Sequence, residues 1–318
     1  MAVFYLWPAW QTCQGQGHHI LHELHGSGTD SVRITSFVLA TNSTPVEGVF
    51  IGVGSAAKPL IIFIPGSEPV PLYCSVGDST FIPLFPRQLI DPRFNYILLS
   101  KPGIPAVCDR KALNDDYYFL DSATGEAPTT YLANNTLGSY REAYANLLDE
   151  LPIFTKPMSV TLMGHSQGAR VAAEFTADQR VDKVVYMSAD PLGRIATLYD
   201  REYAKFNLRD PGKVRLYEAL FDPANTDSVL MRERYSSFTS FSKPSIIGLS
   251  QATKPTLVVY GDMDESCPNC YALAHLGTYV PQVDVHAYPG YDHNYFDAQG
   301  VNHWGEVVQD VLRWVLGE

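Results

Sequence analysis

The sequence predicts an α/β protein built on a mostly parallel, doubly wound sheet. Three observations point there. Short β-branched apolar runs alternate with helical segments along the chain, the pattern of strands joined by crossover helices. One of these runs, Leu60-Ile61-Ile62-Phe63-Ile64, is apolar at every position, as expected of a strand covered on both faces. A third run, Ser159 to Met163, leads through Gly164-His165-Ser166-Gln167-Gly168 into an alanine-rich helical stretch, Ala169 to Phe175. At 318 residues and 46% hydrophobic, the chain buries a core large enough for one α/β domain with an insertion or for two domains.

Residues 1-30 carry Trp7, Trp10 and the histidines His18, His19, His22 and His25. Clustered histidines suit metal, but no carboxylate or thiol framework stands at ligand spacing, so this segment reads as surface or an N-terminal arm and no metal is expected. Val32 to Ala40 and Val46 to Val53, separated by Thr41-Asn42-Ser43-Thr44-Pro45, read as an antiparallel hairpin. Leu60 to Ile64 ends at Pro65-Gly66-Ser67-Glu68-Pro69. Asn95 to Ser100, Val160 to Met163, Val184 to Ser188, Thr256 to Tyr260 and Val283 to Tyr288 are further strands. The clearest helices are Ser139 to Leu151, where Ser139 and Glu142 fit a capping box, Ala169 to Ala177, and Trp304 to Leu316. The stretch between Ser188 and Thr256 has no strand signal and is far longer than a connection, since loops beyond about 15 residues are uncommon. It reads as a helical insertion. The expected division is therefore an arm at 1-30, a core at 31-190 and 251-318, and a helical cap at 191-250. The cap's aromatics, Tyr199, Tyr203, Phe206, Tyr217, Phe221, Tyr235, Phe238 and Phe241, have two readings: the lining of an apolar pocket, or the insertion's own core, which is the ordinary fate of such residues.

The formal charge of -11, from 34 acidic and 23 basic residues, repels phosphate backbones and anionic membranes, so nucleic acid is not an expected partner. No apolar run approaches the roughly 18 to 20 residues that span a bilayer. Met1 to Trp10 is apolar but has no basic flank and leads to no small-residue cleavage site, so it does not read as a signal peptide. Five cysteines leave at least one free thiol, and a reducing, cytoplasmic compartment is expected, with a mature secreted form as the alternative. Cys267-Pro268-Asn269-Cys270 reads as loop cysteines or a local disulfide in preference to a redox motif or half a zinc site with His275, because a structural zinc takes four ligands and no second C-x-x-C exists. Nothing in the sequence sets the oligomeric state.

The chemistry is expected to centre on Ser166. A serine on a sharp strand-to-helix turn has its hydroxyl pushed out of the sheet. The flanking Gly164 and Gly168 are expected because side chains would crowd the turn and because glycine meets unusual dihedrals freely. A serine hydroxyl needs a base within reach and a carboxylate to orient that base. Leu257-Val258-Val259-Tyr260-Gly261-Asp262-Met263-Asp264 offers the acid. Asp264 is preferred, since the residues beyond the strand-ending glycine let the loop turn its carboxylate toward a histidine. Asp262 then holds the turn, while Asp262 and Asp190 remain alternative acids. His293 lies on the turn after the next strand, whereas His286 lies inside that strand and His303 sits at the start of the last helix. The oxyanion donors are expected to be the N–H of Gln167, at the start of the helix, and an N–H from the loop after Ile64, Ser67 first and Glu68 second. Pro69 has no N–H to give.

Together, Gly164-His165-Ser166-Gln167-Gly168, Gly261-Asp262-Met263-Asp264, Gly290-Tyr291-Asp292-His293 and Pro65-Gly66-Ser67 resemble the α/β-hydrolase family over the chain from about Val32 to the last helix. The resemblance implies an eight-stranded, mostly parallel sheet, a helical cap after the sixth strand, and a serine mechanism through an acyl-enzyme that uses neither metal nor cofactor. Pro65-Gly66 stands where relatives often have His-Gly. Ser166 argues against the dehalogenase and epoxide hydrolase branches, which attack with aspartate. The expected function is hydrolysis of a carboxylic ester of a small or medium substrate. An amide or thioester hydrolase with the same triad, and a noncatalytic small-ligand receptor, are the alternatives.

Overall fold

A computed structural model describes residues 23–25, 32–53, 57–76, 79–81, 90–205, 229–230 and 233–318. In chain order the strands are β1 (Glu23–His25), β2 (Val32–Leu39), β3 (Val46–Val53), β4 (Leu60–Ile64), β5 (Tyr73–Val76), β6 (Ser79–Phe81), β7 (Asn95–Leu99), β8 (Val107–Asp109), β9 (Val160–His165), β10 (Lys183–Met187), β11 (Val229–Leu230), β12 (Glu233–Arg234), β13 (Thr256–Gly261) and β14 (Val283–Tyr288). The main sheet runs β1-β2-β3-β7-β4-β9-β10-β13-β14. Its last eight members are the eight strands read from the sequence. The short β1 adds an antiparallel edge, Leu24 opposite Ile34, so part of the expected N-terminal arm is sheet. Trp7, Trp10, His18, His19 and His22 lie outside the described residues.

The chain divides into two compact units. The first comprises Met1–Phe63, Glu68–Asn134 and Ser139–Thr161. Here β2 and β3 form the expected hairpin, β3 pairs antiparallel with β7, and β7 pairs parallel with β4. Every residue of β4 and β7 is buried, as the continuous apolar runs require. Gly48 stands opposite both Phe37 and Leu99 in the ladder, and a Cβ there would lie under 3.0 Å from both side chains. A small separate sheet, β6-β5-β8, escaped the sequence reading because its strands are only three or four residues long. Helix α1 is Thr129–Asn134, and helix α2, Leu137–Phe154, starts two residues before the expected capping box. Ser139 is thus inside the first turn, and Glu142 accepts a hydrogen bond from the Asn42 backbone N–H (2.6 Å) instead of reaching back to a cap.

The second unit comprises Ile64–Ser67, Asn135–Gly138 and Leu162–Glu318. Strands β10, β13 and β14 run parallel, with Val184 opposite Thr256 and Thr256 opposite Val283. β13 is wholly buried, whereas β14, last in the sheet, exposes several residues. Helix α3 (Gln167–Ala172) follows β9. The stretch 191-250 holds α4 (Arg194–Lys205), the β11/β12 ladder, α5 (Tyr235–Ser240) and α6 (Ser245–Ser250), all in the same unit as the strands around it. Phe238 and Phe241 are fully buried, and Phe238 packs with Leu198, Ile195 and Tyr235, so these aromatics are core; Tyr199 is exposed. Phe206, Tyr217 and Phe221 lie outside the described residues, as does the side chain of Tyr203. Helix α7 (Tyr271–Tyr279) fills the gap between Asp264 and His293. The final helix, α8 (Trp304–Leu316), buries Val307, Val308, Val311, Leu312 and Val315 and ends at the left-handed Gly317. Cys267 and Cys270 are joined as a disulfide, which removes both thiolates as metal ligands. No helix among the described residues is long and apolar enough to cross a membrane.

Gly48→Ala is expected to destabilise the protein by about 1–3 kcal/mol through overpacking against Phe37 and Leu99. Urea unfolding measures it, and a variant as stable as the wild type would contradict the packing described.

Candidate active site

Strand β9 is buried along its length and delivers the chain to Ser166, which adopts φ 57°, ψ -123°, before α3 begins at once. A non-glycine residue held there costs of order 1–3 kcal/mol, so the surroundings must impose it. Two close approaches do so. A Cβ on Gly164 would lie under 3.0 Å from the carbonyl of Gly168, and one on Gly168 would lie under 3.0 Å from the carbonyls of Ile64 and Pro65. Neither glycine has a positive φ. The steric half of the expectation for these glycines holds, but the unusual dihedral belongs to Ser166. Its N–H is tied to the Met187 carbonyl (2.9 Å) and its carbonyl accepts from Ala169 N–H (3.1 Å).

His293 Nε2 lies 3.0 Å from Ser166 Oγ, and His293 Nδ1 lies 2.8 Å from Asp264 Oδ2. The Asp264 side chain is 0% exposed, and its second oxygen accepts from Ser266 N–H (2.7 Å). A carboxylate only accepts, so the neutral imidazole carries its proton on Nδ1 and turns a bare Nε2 to the serine hydroxyl. Backbone contacts fix the two loops to each other: Asp262 N–H donates to Tyr288, Met263 N–H donates to Tyr291 (3.0 Å), and Gly261 leaves no room for a Cβ against the Tyr291 carbonyl. Asp262 accepts from Gly290 N–H (2.6 Å), which holds the turn leading to His293. Two more non-glycine residues with positive φ, Ser188 and Tyr295, meet behind this loop, Ser188 Oγ donating to the buried Tyr295 hydroxyl (2.9 Å).

Asp190 is fully buried but is engaged elsewhere, accepting from Leu192 N–H and from both the N–H and the side-chain amide of Asn269. Burial pushes its carboxyl above the ordinary range, and those hydrogen bonds pull it back. His286 stays within β14, and His303 pairs with Asp297 (3.0 Å), which raises its pKa. Of the expected oxyanion donors, Gln167 heads α3, where the first N–H groups lack intrahelical partners and the helix dipole favours negative charge. In the loop after Ile64, Gly66 is the residue set against Ser166: a Cβ there would lie 3.7 Å from Ser166 Oγ. Ser67 follows it in the same unit. Glu68 is exposed, belongs to the first unit, and accepts from Val70 N–H through its carbonyl.

One residue was missed by the sequence reading. His165 is buried, its Nε2 is 3.0 Å from the carbonyl of His293, and its ring packs against His293 (5.0 Å between centroids) and Trp304 (5.1 Å). A carbonyl only accepts, so Nε2 carries the proton and donates. Burial first, then the neighbouring His293 charge, pushes the His165 pKa down to about 3, against the opposing effect of that hydrogen bond. Its place at the end of a mostly apolar strand was the available signal.

No protein-family model matches the chain, and no curated protein matches it by sequence. Solved structures do. Acetyl xylan esterase 1 from a Thermoanaerobacterium species superposes with TM-score 0.51 at 15% identity, covering 96% of this chain and 86% of that one. Est1E from Butyrivibrio proteoclasticus, with ferulic acid bound, gives 0.52 at 15% identity over 90% and 95%. The chain has the α/β-hydrolase fold. The same fold recurs inside longer proteins: the acylaminoacyl peptidase of Pyrococcus horikoshii gives 0.55 at 10% identity, covering 96% of this chain but 50% of the peptidase.

His165 yields a signed pH prediction. Between about pH 6.5 and pH 3 the unfolded chain protonates this imidazole and the folded protein does not, so stability is full above that window and declines as pH falls through it, by up to about 1.4 kcal/mol per unit. His165→Gln keeps a donor for His293 and does not titrate, so its stability is expected to fall less between neutral pH and about pH 4.5. Urea unfolding at both pH values measures this, and equal slopes would contradict it.

Proposed function

We propose that this chain is a serine hydrolase that cleaves a carboxylic ester of a small or medium substrate, with residues 191-250 forming the cap over the site. The observation that carries the reading is the continuous path Ser166 Oγ to His293 Nε2 (3.0 Å) and His293 Nδ1 to Asp264 Oδ2 (2.8 Å) at a strained strand-to-helix turn. As Ser166 Oγ bonds to the ester carbon, His293 Nε2 takes the hydroxyl proton and the carbonyl electron pair moves to oxygen. The Gln167 N–H and the Gly66–Ser67 loop face that oxyanion. Asp264 stabilises the imidazolium and keeps it oriented. Collapse breaks the bond to the alkoxy group, which leaves as the alcohol with the proton from His293. Water then attacks the acyl-serine, with His293 again the base, and the second collapse frees the acid and restores Ser166. The esterase names of structures that superpose over most of both chains support an ester as substrate.

Stopped-flow turnover of p-nitrophenyl acetate is expected to show a burst of one nitrophenolate per site, then a steady rate. Ser166→Ala is expected to lower kcat by about 10⁴-fold or more, and Asp264→Asn by about 10⁴ through loss of the correct tautomer. A Ser166→Ala enzyme within tenfold of wild type would sink the proposal. Equal turnover of the matching anilide would move it from ester to amide.

A further inference from the structure

Gln167 supplies a proposed oxyanion donor through its backbone, and its side chain belongs to a closed ring. Its Nε2 donates to Asn135 Oδ1 (2.9 Å), and its Oε1 accepts from Arg194 Nη1 (2.9 Å). Arg194 grips Glu233 with both terminal nitrogens, at 2.6 and 2.5 Å. Glu233 Oε2 also accepts from Asn135 Nδ2 (3.1 Å), which closes the ring, and from Ser237 Oγ (2.7 Å). The direction of every bond is forced. Guanidinium only donates and carboxylate only accepts, so Gln167 must turn its oxygen to Arg194 and its nitrogen to Asn135, and Asn135 must turn its nitrogen to Glu233. Neither amide can flip without setting donor against donor.

The ring is dry. The Glu233 side chain is 7% exposed and that of Arg194 is 19% exposed, with the guanidinium 4.3 Å over the Phe238 ring. Removing one partner from such a pair leaves the other charge without compensation, which disrupts far more than the pair contributes when whole. Arg194, Glu233 and Ser237 all lie in the 191-250 insertion, while Gln167 follows the nucleophile directly. A second tie runs beside the ring: the Leu137 N–H, at the start of α2, donates to Ser240 Oγ (3.1 Å).

We propose that Arg194 and Glu233 are positioning residues for the Gln167 oxyanion donor, so that the insertion is fixed to the nucleophile turn as part of the catalytic apparatus. This rests on the serine hydrolase reading. Oxyanion stabilisation depends on donors held at about 2.7–3.1 Å from where the charge develops, and a small displacement weakens the transition state more than the bound substrate. The ring therefore bears on kcat rather than KM.

The test compares wild type, Glu233→Gln and Arg194→Lys, with Gly48→Ala, in the other compact unit, as a destabilising control. Glu233→Gln leaves the Arg194 charge uncompensated, and Arg194→Lys keeps the charge but loses the fork; either serves if the other fails to fold. Expected for both is a fall in kcat of about tenfold to a hundredfold on p-nitrophenyl acetate with KM within about twofold, together with faster amide hydrogen exchange in a peptide spanning 164–172. Gly48→Ala is expected to lower Tm and leave kcat and that exchange unchanged. Wild-type kcat and exchange in the ring variants, or a kcat loss that Gly48→Ala matches at equal loss of Tm, would overturn the proposal. Failure of the hydrolase reading shows differently, as a wild type without a Ser166-dependent burst, and the exchange measurement still decides whether the ring holds the turn.

Discussion

The site depends on one close contact, the approach of Gly168 to the carbonyls of Ile64 and Pro65. Because no Cβ stands between them, α3 starts directly against the end of β4, and Gly164 gives way to Gly168 in the same manner. The turn left for Ser166 is then too tight for ordinary dihedrals, and its φ of 57° is the result. That strain points the hydroxyl away from the sheet and places the first free N–H groups of α3 beside it. The chemistry assigned to Ser166 follows from a backbone packing constraint before any side chain contributes.

The two loops that complete the arrangement are held by the same means. Gly261 lies against the Tyr291 carbonyl, and the backbone bonds of Asp262 and Met263 to Tyr288 and Tyr291 zip the acid loop to the histidine loop. Asp264 and His293 face each other because the loops that carry them are already tied backbone to backbone. Behind them, His165 fastens the His293 carbonyl while remaining neutral itself, so it adds a hydrogen bond without a competing positive charge beside the imidazolium of the proposed reaction. On the opposite side of Ser166 in sequence, the ring through Gln167, Arg194, Glu233 and Asn135 fixes the first turn of α3. A buried polar network of this kind specifies one arrangement because every partial arrangement leaves a donor or a charge unmet.

The sequence showed what repeats along a line and missed what converges in space. The eight long strands were legible because β-branched runs such as Leu60 to Ile64 and Thr256 to Tyr260 are dictated by burial on both faces. The order of Ser166, Asp264 and His293 was legible because each lies in the turn or loop that follows a strand. β5, β6 and β8 are too short to carry a period, and the capping box at Ser139 failed because Leu137, two residues earlier, finds an acceptor in Ser240, far away in the chain. Arg194 and Glu233 look like solvated charges in sequence; only the fold shows that they bury each other against Gln167.

The central claim is that Ser166 is the nucleophile made reactive by His293 and Asp264. Labelling the folded protein with a fluorophosphonate and locating the adduct by peptide mass analysis tests it most directly. The account predicts a single adduct on Ser166, absent after unfolding and strongly slowed in His293→Gln. No adduct, or one on another residue with Ser166 unmodified, would contradict it.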